Sequence, residues 1–303
     1  MSERSDIHGV FCAAATPVGA DLAPALDLFA RHCGSLLAAG CDGIALLGTT
    51  GEANSFSLAE RQRILEAALE GSIDPGRLMP GTGAAAIPDT VALTRHALGL
   101  GVTSVVMLPP FYYKGVSDDG LYAAYAETIE RVGDGRLKVV LYHIPQMSGV
   151  PLSLDLVGRL IAAFPGIVVG IKDSAGDLAN MERLVAAFPG FSVLAGADPL
   201  MLPLLRKGGA GCITATSNLV AADLATVFRD FAAPERAAAV AAAQARIVAV
   251  RTLSNRFPQI PAIKAMIARR TGNDDWRRVR PPLVALDDRQ WEELAAAFSA
   301  LGS

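Results

Sequence analysis

The sequence predicts an α/β fold, a (β/α)8 TIM barrel with a C-terminal helical extension. Three observations support this fold class. Eight short apolar runs lie between residues 9 and 216, and amphipathic segments with recognisable helix caps separate them. After Asn218 the strand-like runs cease, and alanine-rich helical patterns continue along the rest of the chain.

The eight predicted strands are continuous apolar runs with little alternation between polar and apolar residues. That pattern is typical of strands that are buried on both faces. The runs lie at 9–18, 43–48, 77–83, 104–110, 138–145, 167–173, 191–196 and 211–216.

The segments between the runs carry helix start and stop signals. Ser57 and Glu60 form a capping-box pattern at the start of one helix, which Gly71 ends. Ser153 is the predicted cap of another helix, and a proline and a glycine follow that helix at 165–166. These signals predict helices between consecutive strands, as a barrel of alternating strands and helices requires.

The C-terminal part of the chain shows helical periodicity alone. Its helical patterns lie at 219–232, 234–251, 258–270 and 287–300. We expect a single structural unit, with the barrel over 1–218 and the C-terminal helices over 219–303 packed on it.

Composition limits the class of protein. The 303 residues are 51% hydrophobic and 19% charged, and the formal net charge is −3. This balance supports a sizeable core, excludes global disorder and predicts neither a nucleic-acid partner nor an anionic membrane partner. No apolar run reaches membrane-spanning length, and the first ten residues lack a signal-peptide pattern. We therefore expect a cytoplasmic protein.

The four cysteines and four histidines are scattered along the chain. They form no CxxC pair and no spacing typical of zinc ligands. We expect reduced core thiols and no metal, which argues against a metal-dependent aldolase.

Lys172 ends the sixth predicted strand, in the stretch IVVGIKDSAG at 167–176. The carboxyl ends of barrel strands form the catalytic face of this architecture. Alternation along the strand puts Gly170 and Lys172 on one face, where we expect Gly170 to leave free volume beside the lysine. Burial disfavours the charged form of an amine, and a neutral amine is a nucleophile that forms an imine with a carbonyl substrate.

A second interpretation of Lys172 is structural, namely an ion pair with the adjacent Asp173. None of the other lysines stands at the carboxyl end of a predicted strand. They are Lys114, Lys138, Lys207 and Lys264. Position alone leaves the catalytic and the structural interpretations open.

Candidate partners of this lysine lie at the ends of neighbouring predicted strands. Tyr142 ends the fifth strand, where a phenol is either a proton relay or a core residue with a satisfied hydroxyl. The turn GTTGE at 48–52 either holds a carboxylate on backbone N–H groups, with Thr49 passing a proton, or is only a polar turn. Tyr112 and Tyr113 lie in a loop at the same end of the barrel, as part of a site or of an interface.

Four motifs in register resemble the dihydrodipicolinate synthase / N-acetylneuraminate lyase family. They are GTTGE at 48–52, PPFYYKG at 109–115, YHIP at 142–145 and GIKDSAG at 170–176. Order and spacing agree from about residue 9 to residue 300. The resemblance implies a barrel with C-terminal helices, a homotetramer, a small-molecule 2-oxo acid as partner, and no metal or organic cofactor.

The resemblance also implies roles for individual residues. Lys172 would form the imine with pyruvate or another 2-oxo acid, and Tyr142 would be the central acid and base. Thr49 would link Tyr142 to Tyr112 of a neighbouring subunit. The candidate substrate-binding residues are Thr50, Gly51, Ser174, Gly196, Asp198 and Ile213.

The sequence departs from two branches of that family. Met147 stands where members that make dihydrodipicolinate carry an arginine, and a thioether cannot hold a carboxylate as a guanidinium does. Pro199 and Ala215 stand where sialic-acid lyases carry an acidic residue and a serine.

The expected function is a Schiff-base lyase or aldolase that catalyses reversible aldol cleavage or condensation. Substrates of the 4-hydroxy-2-oxoglutarate or 2-keto-3-deoxy-sugar-acid type fit this reaction. The alternatives are a 4-hydroxy-tetrahydrodipicolinate synthase, a 2-keto-3-deoxy sugar acid dehydratase and a non-catalytic sensor of 2-oxo acids.

A dinucleotide-binding oxidoreductase is a weaker alternative. Gly81, Gly83 and Ala86 loosely fit the GxGxxA pattern after a short strand. The next predicted strand, 104–110, ends without the acidic residue that would bind a ribose. We therefore interpret the two glycines as a strand-to-helix turn.

Overall fold

The computed structural model describes residues 7–302 and shows an α/β fold. Within that range seven strands are present: β1 (Gly9–Cys12), β2 (Gly43–Ile44), β3 (Ser104–Met107), β4 (Lys138–His143), β5 (Val168–Asp173), β6 (Ser192–Ala195) and β7 (Gly211–Thr214). They form one parallel, curled sheet in the order β2-β1-β7-β6-β5-β4-β3. Seven of the eight predicted runs therefore contain a strand, and each strand is shorter than its run.

The segment predicted as the third strand, 77–83, is not a regular strand. It forms isolated parallel bridges, from Leu78 to Ile44 of β2 and from Gly81 to Val106 of β3. The Val106 N–H donates to the Pro80 carbonyl oxygen at 3.0 Å, but Pro80 has no N–H to offer in return. The segment thus contacts both edge strands of the sheet without a continuous ladder.

Gly81 and Gly83 are required by close backbone packing. A Cβ on Gly81 would lie 2.2 Å from the Leu47 carbonyl oxygen, and one on Gly83 would lie 2.5 Å from the Leu108 nitrogen. Their occurrence is explained by this packing and needs no phosphate ligand.

Twelve α-helices surround the sheet within the described range. They are α1 (Leu26–Ala38), α2 (Leu58–Glu70), α3 (Ile87–Gly99), α4 (Asp118–Val132), α5 (Pro145–Ser148), α6 (Leu154–Ala163), α7 (Leu178–Ala187), α8 (Met201–Leu205), α9 (Ser217–Asp230), α10 (Ala237–Ser254), α11 (Gln259–Thr271) and α12 (Asp288–Ala300). The capping box of Ser57 and Glu60 and the Ser153 cap are confirmed, since both serine side chains accept a backbone N–H.

Apolar side chains fill two layers. The inner cluster lies on the concave side of the sheet and comprises Phe11, Ala13, Ala45, Met79, Val106, Val140, Tyr142, Ile144, Leu194 and Ile213. A larger cluster lies between the sheet and the helices. Burial on both faces explains why the strands read as continuous apolar runs.

The four cysteines are free and buried, as predicted. No helix in the described residues is long and apolar enough to cross a membrane. Among the same residues, no group of three or more His, Cys, Asp or Glu side chains is arranged to hold a metal ion. Residues 1–6, which entered the signal-peptide expectation, lie outside the described range.

A buried hydrogen-bond network joins β1, α1 and α9. The Asn218 side chain accepts the Ala15 N–H at 3.1 Å and donates to the Ala13 carbonyl oxygen at 2.8 Å. His32 Nε2 donates to Asn218 Oδ1 at 2.8 Å, and its ring meets Trp276 edge to face. Burial lowers the pKa of His32 from 6.5 to about 4, although the hydrogen bond to Asn218 opposes this shift, so burial favours the neutral imidazole.

We expect stability to depend on His32 in mild acid. Above pH 6.5 the ring is neutral in both the folded and the unfolded chain, so its titration does not lower the free energy of unfolding there. As the pH falls from 6.5 through 4, the unfolded chain binds a proton that the folded chain lacks. The free energy of unfolding should therefore drop by up to about 3 kcal/mol across this window. Urea unfolding as a function of pH should show a shallower slope for His32→Gln, while a variant at the exposed His8 should keep the wild-type slope.

Candidate active site

Lys172 lies inside the curled sheet at the carboxyl end of β5. It pairs across the ladder with Tyr142 of β4, a member of the inner cluster. Only 5% of Lys172 is exposed, and its Nζ lies 4.2 Å from the centre of the Tyr142 ring. The predicted burial of this side chain at the carboxyl end of its strand is therefore confirmed.

Asp173 is not the partner of Lys172. The Asp173 carboxylate accepts the Ala175 N–H at 2.9 Å and the Asn180 Nδ2–H at 2.8 Å. Neighbouring residues of a strand point to opposite faces, so the two side chains diverge. The ion-pair interpretation is wrong, and Lys172 forms no ion pair with any described residue.

The other four lysines all have partners, and all lie in the described range. Lys138 donates to the Gly166 carbonyl oxygen at 2.6 Å, and Lys114 donates to the Ser148 carbonyl oxygen at 2.5 Å. Lys207 pairs with Glu182 at 3.6 Å, and Lys264 pairs with Glu52 at 2.6 Å. Lys172 thus differs from the other lysines, because its buried amine has no carboxylate or carbonyl partner in the part of the chain that the structure describes.

Gly170 does not leave the free volume that we expected beside Lys172. A Cβ at this position would lie 2.8 Å from the Ser192 carbonyl oxygen of β6. The glycine instead allows β5 and β6 to approach each other closely.

Tyr142 and Thr49 form a hydroxyl pair beside the lysine. Tyr142 Oη lies 3.2 Å from Thr49 Oγ1, and either oxygen can be the donor. A pair of this kind can pass a proton in either direction. The structure thus brings together three residues that the sequence predicted from the ends of different strands.

The turn after β2 carries the next predicted residues, Thr50 and Gly51. Thr50 is buried, and Thr16 Oγ1 donates to the Gly51 carbonyl oxygen at 2.9 Å. The backbone N–H groups of Thr49 and Thr50 make no hydrogen bond to any described residue. Unpaired N–H groups of successive residues can bind an anion such as a carboxylate.

Ser174 and Gly196 are adjacent at the carboxyl ends of β5 and β6. The Gly196 N–H donates to the Asp173 carbonyl oxygen at 2.7 Å. A Cβ on Gly196 would lie 2.0 Å from Ser174 Oγ, so the serine hydroxyl rests against this glycine. Ile213 of β7, another predicted contact, lies buried in the inner cluster.

Asp198 has a different environment from the other predicted contacts. Its buried carboxylate pairs with Arg251 of α10 at 3.3 Å. Its second oxygen, Oδ1, has no hydrogen-bond partner among the described residues. The carboxylate therefore anchors a later helix, and its contact with a substrate stays a prediction.

Tyr112 is 74% exposed and stacks edge to face on Tyr113. Its hydroxyl makes no hydrogen bond to Thr49 or to any other described residue. A contact between Tyr112 and Thr49 would therefore have to come from a second copy of the chain, as the resemblance implies.

Positive charge is scarce in the loops that follow the strands. The loops at 13–25, 45–57, 108–117, 144–153, 174–177, 196–200 and 215–216 contain one lysine or arginine, Lys114. Its ammonium binds the carbonyl oxygens of Phe111 and Ser148 and joins two of these loops. The other polar side chains of these loops are hydroxyls, amides and carboxylates.

The buried pair of Glu52 and Lys264 was not anticipated. Both side chains are fully buried, and Glu52 Oε2 also accepts the Arg280 N–H at 3.0 Å. Burial lowers the pKa of Lys264, although the charge of Glu52 opposes this. The sequence indicated half of this pair, because Lys264 interrupts the apolar stretch IPAIKAMIA just as Lys172 interrupts its own run. It did not indicate which residue would be the partner of Lys264.

Known proteins resemble this chain over almost its entire length. The model of the dihydrodipicolinate synthetase family matches residues 6–301. An uncharacterised DapA-like lyase of Chloroflexus aurantiacus is 35% identical over 298 residues, 97% of each chain.

Two solved structures extend the comparison. A dihydrodipicolinate synthase from Agrobacterium tumefaciens is 34% identical, with a TM-score of 0.88, over 97% of this chain and 99% of its own. A prophage protein of E. coli K12 from the dihydrodipicolinic acid synthase family, solved with pyruvate, is 26% identical. Its TM-score is 0.88 over 98% of this chain and 99% of its own.

The contact between Gly196 and Ser174 can be tested by adding one methyl group. Gly196→Ala should force Ser174 to move and lower the free energy of unfolding by about 1–3 kcal/mol. Gly99→Ala is the matched control, because a Cβ there meets nothing within 4 Å and should be neutral or stabilising. Urea unfolding measures the stability of both variants. Equal free energies of unfolding for Gly196→Ala and Gly99→Ala would contradict the close packing of Gly196 against Ser174.

Proposed function

The chain belongs to the dihydrodipicolinate synthetase family, and from that membership we propose a lyase that joins Lys172 to a 2-oxo acid as a Schiff base. The family includes lyases and synthases. The observation that carries the proposal is the buried Lys172 amine, which has no ion-pair partner within residues 7–302 and lies against the Tyr142 ring. The pyruvate bound to the E. coli relative supports pyruvate as the 2-oxo acid.

The reaction begins with imine formation. The Lys172 amine attacks the ketone carbon of the 2-oxo acid, and the carbinolamine loses water to give a protonated imine. Protons must reach the departing hydroxyl and leave the nitrogen during these steps. The Tyr142 ring lies 4.2 Å from the amine, and its hydroxyl is within hydrogen-bond distance of Thr49, so Tyr142 is the proposed acid and base.

Cleavage then uses the imine as an electron sink. The 4-hydroxyl of the substrate loses its proton, the C3–C4 bond breaks, and the electron pair moves to the imine nitrogen to form an enamine. An aldehyde leaves, C3 takes up a proton, and water hydrolyses the imine to release pyruvate. Condensation is the same sequence in reverse.

The substrate carboxylate is proposed to bind the turn after β2. The unpaired N–H groups of Thr49 and Thr50 and the Thr50 hydroxyl are suitable donors. This placement would orient the ketone carbon toward Lys172. Tyr112 of a second copy would complete the hydroxyl relay through Thr49, within the proposed homotetramer.

The second half of the substrate is proposed to be a neutral, hydroxylated chain. Lys114, the one cation in the loops after the strands, is already bound to two carbonyl oxygens. Ser174 offers a hydroxyl on the rim formed by β5 and β6. These features favour a 2-keto-3-deoxy-sugar acid over 4-hydroxy-2-oxoglutarate, whose distal carboxylate would need a cation.

A second candidate function is 4-hydroxy-tetrahydrodipicolinate synthesis, the activity suggested by the name of the Agrobacterium relative. Met147 argues against it. This side chain lies in α5, is 64% exposed and stands where an arginine is expected in that branch. The shortage of free cations in the loops after the strands, which we call the neutral rim, favours a sugar acid and disfavours aspartate semialdehyde.

We also propose that 77–83 takes the place of an eighth strand. Its hydrogen bonds to β2 and β3, and the inward position of Met79, support this arrangement. The barrel would then span 1–218, with the helices of 219–303 packed on it in one cytoplasmic protein.

Borohydride reduction tests the Schiff base. With pyruvate present, one reduced pyruvyl adduct should appear on the peptide that contains Lys172, as read by mass spectrometry. Lys172→Met should form no adduct and should lose at least about a thousandfold in turnover. Lys207→Met, a surface control, should match wild type. Binding of pyruvate to wild type without any trapped adduct would support a sensor instead.

A substrate panel tests the neutral rim. Pyruvate release, coupled to lactate dehydrogenase, should give a kcat/KM at least about tenfold higher for a 2-keto-3-deoxy-sugar acid than for 4-hydroxy-2-oxoglutarate. Met147→Arg should narrow that ratio, because it adds a guanidinium beside the distal carboxylate. A wild-type preference for 4-hydroxy-2-oxoglutarate, or efficient condensation with aspartate semialdehyde, would contradict the assignment.

A further inference from the structure

The turn that holds Thr49 and Thr50 ends at Glu52, whose carboxylate is buried. Lys264 Nζ of α11 lies 2.6 Å from Glu52 Oε1, and the Arg280 N–H lies 3.0 Å from Oε2. The side chains of Glu52 and Lys264 have no exposed surface. Each charge would be costly to bury alone, so each residue fixes the position of the other.

The backbone at Glu52 adopts a conformation that needs support. Its φ is +55°, in the left-handed region that side chains other than glycine rarely adopt. The Glu52 N–H donates to the Thr49 carbonyl oxygen at 3.1 Å, and the Ala53 N–H donates to the Gly48 carbonyl oxygen at 3.2 Å. The strained residue therefore closes the turn that presents the two unpaired N–H groups.

We propose that Lys264 is a positioning residue for the reaction, because its ion pair with Glu52 holds the turn where Thr49 meets Tyr142 and the substrate carboxylate binds. This inference rests on the proposed function of Lys172. Lys264 itself does not touch the substrate. It acts from α11, more than two hundred residues along the chain from the turn that it holds.

If the pair of Glu52 and Lys264 has only a structural role, a different result is expected. Buried ion pairs are often replaced by neutral groups of similar volume without loss of stability. If the pair only stabilises the fold, a neutral replacement that folds should bind all ligands as wild type does. If the pair positions the turn, such a variant should lose affinity for ligands that use the turn.

The test compares pyruvate with pyruvamide, which keeps the ketone and lacks the carboxylate. The variant Glu52→Gln/Lys264→Met keeps an acceptor for the Arg280 N–H and removes both charges. The concentration for half-maximal borohydride trapping should rise at least about tenfold for pyruvate and stay within about twofold for pyruvamide. The matched control is Lys138→Met, which removes a lysine-to-carbonyl hydrogen bond at the opposite end of a strand.

The outcomes separate this inference from the proposed function. An equal change for both ligands, or no change, would overturn the positioning role while wild-type trapping upholds the Schiff base. Failure of wild type to trap pyruvate would overturn the proposed function and this inference with it. If the double variant does not fold, Glu52→Gln alone enters the same assay, where the pyruvate-specific loss is again required.

Discussion

Burying an ammonium group costs free energy, and this chain buries two lysines in different environments. Lys264 has no exposed surface and receives a carboxylate at 2.6 Å. Lys172 receives only the face of the Tyr142 ring at 4.2 Å. A cation–π contact contributes about 0.5–2 kcal/mol, less than the several kcal/mol that desolvation of an ammonium costs. The proposed anionic substrate would therefore find an unpaired amine at Lys172, whereas the amine of Lys264 already has its carboxylate.

Much of the fold was predictable because strands that are buried on both faces appear in the sequence as continuous apolar runs. The runs that contain β4 and β5 have continuous apolar stretches at 139–142 and 167–171. Ser57 and Ser153 carry local capping signals that need no tertiary information. The structure of the 77–83 run was harder to predict, because apolar content does not show which backbone groups form hydrogen bonds. Pro80 cannot donate, and Gly81 is pressed against Leu47, so the segment bridges its neighbours at isolated points.

The site was predictable where it follows from strand ends, and unpredictable where it follows from long-range pairing. Lys172, Tyr142 and Thr49 meet because the strands of a curled parallel sheet bring their carboxyl ends together. The links from Asp198 to Arg251 and from Glu52 to Lys264 join residues far apart in sequence, and periodicity carries no record of such pairs. The environment of Tyr112 could not be predicted from a single chain, since its proposed partner would lie on another copy of the chain.

Charged contacts from the C-terminal part of the chain converge on the loops at the carboxyl ends of the strands. Lys264 binds Glu52, the Arg280 side chain binds Ser55 and Glu60, and Arg251 binds Asp198. Apolar packing has no preferred direction, whereas a hydrogen-bonded ion pair fixes distance and orientation together. The sheet alone can bring Lys172 and Tyr142 together, since both are on neighbouring strands. The turn of Thr49 and Thr50 lies beyond the end of β2. Thr16 holds it from the loop after β1 through the Gly51 carbonyl oxygen, and Lys264 of α11 holds it through Glu52. A helix that follows the sheet therefore helps to set its orientation.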